Sequence, residues 1–599
     1  MSVDIRSSTA AVPEVSNDNS QVKSKVGHVA KFAEINDDQL SNDEELYPKS
    51  SSDIYKISFG NSKEIHEYLS LNKEELKSFI NNSYWKKIRY FIGLFYILLI
   101  LFLLIGSILL IVFSTKCPTK TKLNWYEKDF IYEIDLQMFY DSNDDGQGDL
   151  QGLIKKFDYL QKYSFKTILF QSTIFSNQQN FDLIQLNQNI LNQTYFDSFI
   201  KFIHRKDMHL ILDLPLSSTN QRNSSSWYGN NQTQIQNQCN EDQSSLGCQY
   251  YQSYGRLPLD FNQLEINEQA QNRIFYWLLE KNIDGIRIDL PLEFNEEKNS
   301  YEISYKTISK WNLIKNQIEQ KTHTKLILYD IPSNLIHLLN KTDLQNQIIY
   351  PIFDDNSSLI TSKQINEQIN SLPKFSKFQS NKQIISKEIQ LTMLMLFRGT
   401  PIILYGEEFG LEYNKNRLML WTSDKPCGGF SNCTTTNCLR LFSLFNINSF
   451  ETNVKREEAI DGNPNESLLR LFEYLTKLRR EDSFRYGLFE KGYSEELNLF
   501  WFIRELSGSR GYLILINLNK KEKEFSHLSL YKLTNHLIPQ YITYEYQWPK
   551  KFNTFYSNST YINADNLFLS SQSISIFSWK TKLIKPNILL EKARKFLVD

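Results

Sequence analysis

Residues 141–149 read D-S-N-D-D-G-Q-G-D, so side-chain oxygens fall at Asp141, Asn143, Asp145 and Asp149, with the backbone carbonyl of Gln147 between them. Alternating oxygen donors on a tight, glycine-containing loop suit a hard cation such as Ca2+. The spacing matches the start of an EF-hand loop, but from Leu150 onward the distant bidentate Glu is missing. A solvated Asp/Asn-rich turn is the plainer alternative. The next reactive groups are thiols: Cys117, Cys239, Cys248, Cys427, Cys433 and Cys438. Cys239 and Cys248 enclose a short polar loop and are expected to pair. Cys427, Cys433 and Cys438 form an odd set whose pairing the spacing leaves open. Asn-x-Ser/Thr acceptors for glycosylation stand at Asn192, Asn223, Asn231, Asn340, Asn356, Asn432, Asn465 and Asn558.

These groups follow a segment with no charged residue, Tyr90 to Phe113. About 20 apolar residues span a bilayer core, so this run is long enough to cross with some tilt. It begins too far from the N-terminus, and is too long, for a cleaved signal peptide. Basic residues flank both ends (Lys86, Lys87 and Arg89 before, Lys116, Lys120 and Lys122 after), so charge asymmetry orients it only weakly. The cysteines and the eight acceptors named above lie after the span, where an oxidising, glycosylating compartment would act on them. That places the N-terminus in the cytoplasm. Cys117 then sits just outside the membrane with no nearby intrachain partner, which suits a disulfide to another membrane chain. A palmitoylated or free thiol is the alternative.

Positioning these groups requires a large folded region. The chain has 599 residues, 41% of them hydrophobic and 23% charged, which excludes global disorder. Its 67 basic and 68 acidic residues give a net charge of −1, which excludes a mainly electrostatic nucleic-acid binder. Six cysteines exclude a disulfide-dense scaffold. Residues 1–85 read as a largely disordered cytoplasmic tail with short juxtamembrane helices. The transmembrane helix is expected at 88–114 and an extracellular neck at 115–124. From 125 to 483, apolar runs (Ile131–Leu136, Thr167–Phe170, His209–Leu214, Gly285–Leu290, Leu326–Asp330, Ile348–Phe353, Pro401–Tyr405) alternate with helical patterns such as Gly152–Tyr163 and Phe196–Lys206. Such alternation predicts a parallel sheet covered by helices and, over this length, a closed (β/α)8 barrel. An insertion falls at about 215–262. Residues 484–580 read as antiparallel strands of a terminal β domain, followed by a tail at 581–599.

Several segments carry a family resemblance. "WYEKDFIYEIDLQMFYDSNDDGQGDLQG" (125–152), "LILDLP" (210–215), "IDGIRIDLP" (283–291), "GTPIILYGEEFGL" (399–411) and "LMLWTSDKPCGGFSNC" (418–433) resemble α-amylase family motifs in order and spacing. With the preceding span, "LNKEEL" (71–76) and a cysteine four residues past the span, the layout resembles the heavy subunits of heteromeric amino-acid transporters. The resemblance implies a single transmembrane helix plus an α/β ectodomain, the latter a (β/α)8 barrel of α-amylase type with a C-terminal antiparallel β domain. It implies a plasma-membrane glycoprotein bonded through Cys117 to a multi-spanning light subunit, and a structural Ca2+ on the 141–149 loop. It also places the family's catalytic set. Asp289 matches the nucleophile, Arg287 its arginine partner and Asp330 the acid/base, which is Glu in active members. Lys382 and Gln383 match a His-Asp pair, and Ser217 and Ser218 an Asn-His pair. A retaining glycosidase needs two carboxylates held at a set separation, so this incomplete set implies remnants of a site in a non-enzyme. A membrane-anchored α-glucosidase is the alternative.

Overall fold

A computed structural model of the chain describes residues 82–113, 120–177, 182–219, 245–331, 347–352, 361–370, 375–378, 385–424, 427–432, 451–460, 467–519, 529–549 and 561–581, with small gaps at 299, 412–416, 536 and 566–568, and residues 77, 80, 239 and 335 singly. Cys117, Cys433, Cys438, Lys382, Gln383, Asn223, Asn231, Asn340, Asn356, Asn465 and Asn558 lie outside the described residues. The chain divides into two compact units, Met1–Phe113 and Ser114–Asp599.

In the first unit, helix α1 (Ser83–Phe113) covers 31 residues. At about 1.5 Å per residue it exceeds the roughly 30 Å of a bilayer core. Its large apolar side chains are exposed all round, Phe102 by 74% and Leu110 by 76%. A helix apolar on every face needs lipid or protein around it.

The second unit holds a closed barrel of eight parallel strands: β1 (Ile131–Ile134), β2 (Thr167–Phe170), β3 (His209–Asp213), β4 (Gly285–Asp289), β5 (Leu326–Asp330), β6 (Ile348–Ile352), β7 (Phe375–Phe378) and β8 (Thr400–Leu404). β8 pairs back onto β1, with Ile131 beside Ile402. Seven strands match the expected apolar runs to within two residues at either end. β7 was not among them, because Phe375-Ser-Lys-Phe carries only two apolar residues. The predicted helix 152–163 is two helices, Leu150–Lys155 and Phe157–Lys162, broken at Lys156. The Lys156 ammonium lies 4.3 Å from the Trp421 ring centroid and 4.5 Å from that of Tyr140.

Alternation along each strand sorts the side chains. Outward residues such as Tyr132, Ile168, Leu210, Ile286 and Ile327 join the core under the helices. Inward residues Ile131, Leu169, Ile211, Leu326, Leu328, Ile349, Phe375 and Ile402 fill the barrel's lower interior. Trp125, just before β1, closes that end: it stacks on His209 at 4.3 Å and donates its indole N–H to the Thr324 carbonyl at 2.9 Å. Beneath the sheet, buried Asp284 gathers His204 at 2.9 Å and His323 at 2.7 Å.

After β3 the insertion contributes helix α2 (Leu246–Tyr254), whose Cys248 is disulfide-bonded to Cys239. Closing so short a loop contributes about 2.5–3 kcal/mol in the chain-entropy view. Cys427 is also disulfide-bonded. The terminal domain is a six-stranded antiparallel sheet of β9 (Leu488–Ser494), β10 (Leu499–Glu505), β11 (Arg510–Asn517), β12 (Tyr541–Trp548), β13 (Ile562–Asn563) and β14 (Ser573–Lys580), in the order β9-β10-β11-β14-β12-β13.

Candidate functional site

Above the apolar interior, the same inward-facing rows become charged. On β4 the row Gly285, Arg287, Asp289 climbs to the C-terminal mouth, and register sets Asp289 beside Asp330 of β5 and Arg287 beside Asp213 of β3. Barrel enzymes build their chemistry at this face. Arg287 is 5% exposed and is clamped twice, by Glu133 at 2.9 Å and Asp213 at 3.0 Å. Glu133 also accepts from the Gln171 amide at 2.9 Å. Burial disfavours the charged guanidinium, but Asp213 and Glu133 outweigh burial and push it well above its ordinary value.

The Asp289 carboxylate is enclosed by donors. Its Oδ1 accepts the Ser217 backbone N–H at 2.7 Å, and its Oδ2 accepts the Ser218 hydroxyl and, at 2.9 Å, the Tyr250 hydroxyl. Ser217 also donates its hydroxyl to the Asp289 carbonyl at 2.9 Å. Tyr250 comes from α2 and is fully buried, so the insertion lies directly on the carboxylate. Burial pushes the Asp289 carboxyl above its usual range, and these donors offset only part of that push.

Asp330 has the opposite environment. The Lys377 ammonium of β7 bridges both its carboxylate oxygens, at 2.6 and 2.8 Å. Burial would raise this carboxyl, yet Lys377 and then Arg287 outweigh it and hold Asp330 below the usual range. A third acidic group, Glu407 just past β8, is pushed up to about 7 by burial. Its Oε2 is engaged by the Leu404 backbone N–H at 2.9 Å.

The structure therefore brings Arg287, Asp289 and Asp330 to one mouth and adds Glu133, Asp213, Tyr250 and Lys377, which sequence reasoning did not single out. Glu133 and Asp213 stand on strands already predicted, two residues from inward apolar positions, so period-two alternation could have found them. Nothing local marks Lys377, whose partner is 47 residues away.

The 141–149 loop is held by its own amides. Asp141 accepts from the N–H groups of Asn143 (3.1 Å), Asp144 (2.8 Å) and Gly146 (2.8 Å), and Asp149 from those of Ser142 (3.0 Å) and Gly152 (2.7 Å). Gly146 has φ 88°, a left-handed conformation that glycine adopts without strain. A Cβ on Gly148 would lie 2.2 Å from the Leu136 carbonyl oxygen, so the loop is pressed against its neighbour. Among the described residues no three His, Cys, Asp or Glu side chains converge as a ready metal site. The donor chemistry still fits a hard cation, because an oxygen that accepts one amide keeps a second lone pair. Of the glycosylation candidates, Asn192 and Asn432 are exposed. Asn192 caps the helix Gln193–Arg205 by accepting from the Thr194 N–H at 3.0 Å.

Comparison with known proteins divides the chain along the same lines. The family model described as the N-terminus of solute carrier family 3 member 2 matches residues 55–132, and that of the α-amylase catalytic domain matches residues 131–244. The amino acid transporter heavy chain SLC3A2 of Oryctolagus cuniculus is 23% identical over 75% of this chain and 77% of its own length. The heavy chain SLC3A1 of Mus musculus is 25% identical over 40% of each chain, so this chain spans well under half of that relative. Alpha-amylase 3 of Dictyoglomus thermophilum is 22% identical over 50% of this chain and 68% of its own. Among solved structures, a family GH13_31 enzyme superposes with TM-score 0.55 and 17% identity over 76% of this chain and all of its own. An isomaltulose synthase from Erwinia rhapontici does so with TM-score 0.55 and 15% identity, over 76% of this chain and 99% of its own. At such identities these two structures establish the α-amylase-type fold alone.

The mouth makes one prediction. A carboxyl held below its ordinary value adds stability that is present at neutral pH and lost as pH falls through the lowered value. Replacing Lys377 with Met should cost about 2 kcal/mol at pH 7, the scale of hydrogen bonds to a charged group. It should also flatten the loss of stability below about pH 4, where Asp ordinarily titrates. Thermal melts of both proteins across pH would check this. Equal melts with equal acid sensitivity would contradict the clamp. Taken in chain order, a solute carrier family 3 N-terminal segment carrying one long apolar helix and then an α-amylase-type barrel, this chain resembles the heavy chains of amino-acid transporters.

Proposed function

We propose that this chain is the heavy, ancillary subunit of a heteromeric amino-acid transporter. It is disulfide-linked through Cys117 to a multi-spanning light subunit, and it supports that subunit's stability and delivery to the plasma membrane for amino-acid exchange. The observation that carries this reading is the match of residues 55–132 to the solute carrier family 3 member 2 N-terminus. That stretch contains α1, Cys117 and the entry into the barrel. One helix encloses no polar route, so transport requires a companion with many spans. The chain is a type II single-pass glycoprotein, with the N-terminus in the cytoplasm and the barrel outside.

The barrel does not turn over glycosides in this reading. A retaining mechanism needs an ionised, accessible nucleophile and a protonated acid at neutral pH. Here the candidate nucleophile Asp289 is capped by Ser217, Ser218 and Tyr250 and shifted upward, while the candidate acid Asp330 is clamped by Lys377 and shifted downward. The two carboxyls are displaced in the wrong directions for the family's chemistry. The competing reading, a membrane-anchored α-glucosidase, would require Tyr250 and Lys377 to move away from both.

Two outcomes are expected. In native membranes, Cys117→Ser should abolish the high-mass species seen on a non-reducing gel while co-purification of the light subunit persists through other contacts. An unchanged gel would refute the linkage. The 141–149 loop is also proposed to hold a structural Ca2+ through Asp141, Asn143, Asp145, Asp149 and the Gln147 carbonyl. Chelation should then lower the melting temperature of the wild-type chain by a few degrees and leave Asp145→Asn less affected. Melting unchanged by chelator would show that the loop's own amides suffice.

A further inference from the structure

The edge strand β9 borders an open cleft of about 800 Å3, between the terminal sheet and the helix Ser362–Asn370 of the barrel. Two cations stand on its wall. Lys491 donates to the Asn366 carbonyl at 2.5 Å, and Arg398 is exposed. Among the described residues neither is paired with a carboxylate. Behind them lies further positive charge. Arg504, 5% exposed, stacks 5.5 Å from the ring centroid of Phe489, itself part of the cleft wall. Arg479, 7% exposed, donates to the carbonyls of Met395 and Gly399. The Nε–H groups of both arginines find no acceptor among the described residues. Burial, then the neighbouring charges of Arg479 and Arg398, lowers the Arg504 guanidinium to about 9, and burial lowers Lys491 to about 8. Asp129, the acid whose charge reaches Arg479, is already bound by Arg480 at 2.6 Å, and the cleft wall itself carries one acid, Glu490.

This excess of positive charge beside an open cleft favours an anion there. The rest of the wall narrows the choice. Phe489, Tyr493 and Trp501 offer aromatic surface, and Glu490 offers an acceptor that repels a bare anion but takes a hydroxyl. We propose that the cleft beside β9 binds an oxyanion carried on a hydroxylated ring, of the sugar-phosphate class. Arg398 and Lys491 hold the oxyanion, Glu490 takes a ring hydroxyl and the aromatic side chains cover the ring.

The test is calorimetric titration of the full chain in detergent with glucose 6-phosphate, inorganic phosphate and glucose. Saturable binding of glucose 6-phosphate is expected, with at least tenfold weaker binding of inorganic phosphate and no detectable binding of glucose. Arg398→Gln and Lys491→Met should each weaken glucose 6-phosphate binding about tenfold, the scale of one charge-assisted contact, with unchanged melting temperature in buffer. Arg398 is exposed, so its variant keeps the fold even if the Lys491 variant does not. No saturable binding of glucose 6-phosphate, or affinity unchanged in Arg398→Gln, would overturn the site. Equal affinity for inorganic phosphate would overturn the assignment of a ring-bearing ligand.

Discussion

A guanidinium sealed inside a barrel has to be neutralised where it stands, and the mouth of this barrel is arranged around that requirement. Arg287 sits one layer above an all-apolar interior and takes Glu133 and Asp213 as its counter-charges. Removing Arg287 would leave both carboxylates without their counter-charge, which is costlier than never having placed the group. With those two acids committed to Arg287, the remaining carboxylates need separate partners. Asp330 finds Lys377, and Asp289 finds two serines and a tyrosine. Each acid at the mouth thus has a structural task, and the sum is a polar layer that closes on itself.

The same arrangement supports the proposal that this enzyme-type fold serves another purpose. Site geometry, not fold, decides chemistry. The pairings use the positions from which catalysis would have to start, and α2 carries Tyr250 onto the candidate nucleophile. The solved neighbours show that this scaffold is the α-amylase type. The match to the solute carrier family 3 member 2 N-terminus covers residues 55–132, which include the long apolar helix ahead of the barrel. In the proposed subunit the barrel would act as a rigid extracellular body, and the helix and juxtamembrane thiol would do the joining.

Much of this was legible in the sequence, for physical reasons. Strands buried on both faces, such as Thr167–Phe170 and Leu326–Asp330, read as unbroken apolar runs. The one missed barrel strand, β7, turns a lysine inward and so breaks the pattern that reveals its neighbours. Arg287, Asp289 and Asp330 were found by their motifs, and Ser217 and Ser218 as departures from one. That those serines bond Asp289, 72 and 71 residues further along the chain, follows only from closing the barrel. The direction of each carboxyl's shift was equally invisible, because it depends on partners that the fold, not the local sequence, supplies.

The central claim is that Asp289 is a locked structural group and not a nucleophile. An activated α-glucosyl fluoride tests it most directly, since fluoride leaves without a general acid and Asp330 drops out of the question. After prolonged incubation of the full-length protein, intact and peptide mass spectrometry should find no glycosyl adduct, and no fluoride should be released above the buffer rate. A covalent glycosyl group on Asp289, absent in Asp289→Asn, would contradict the account.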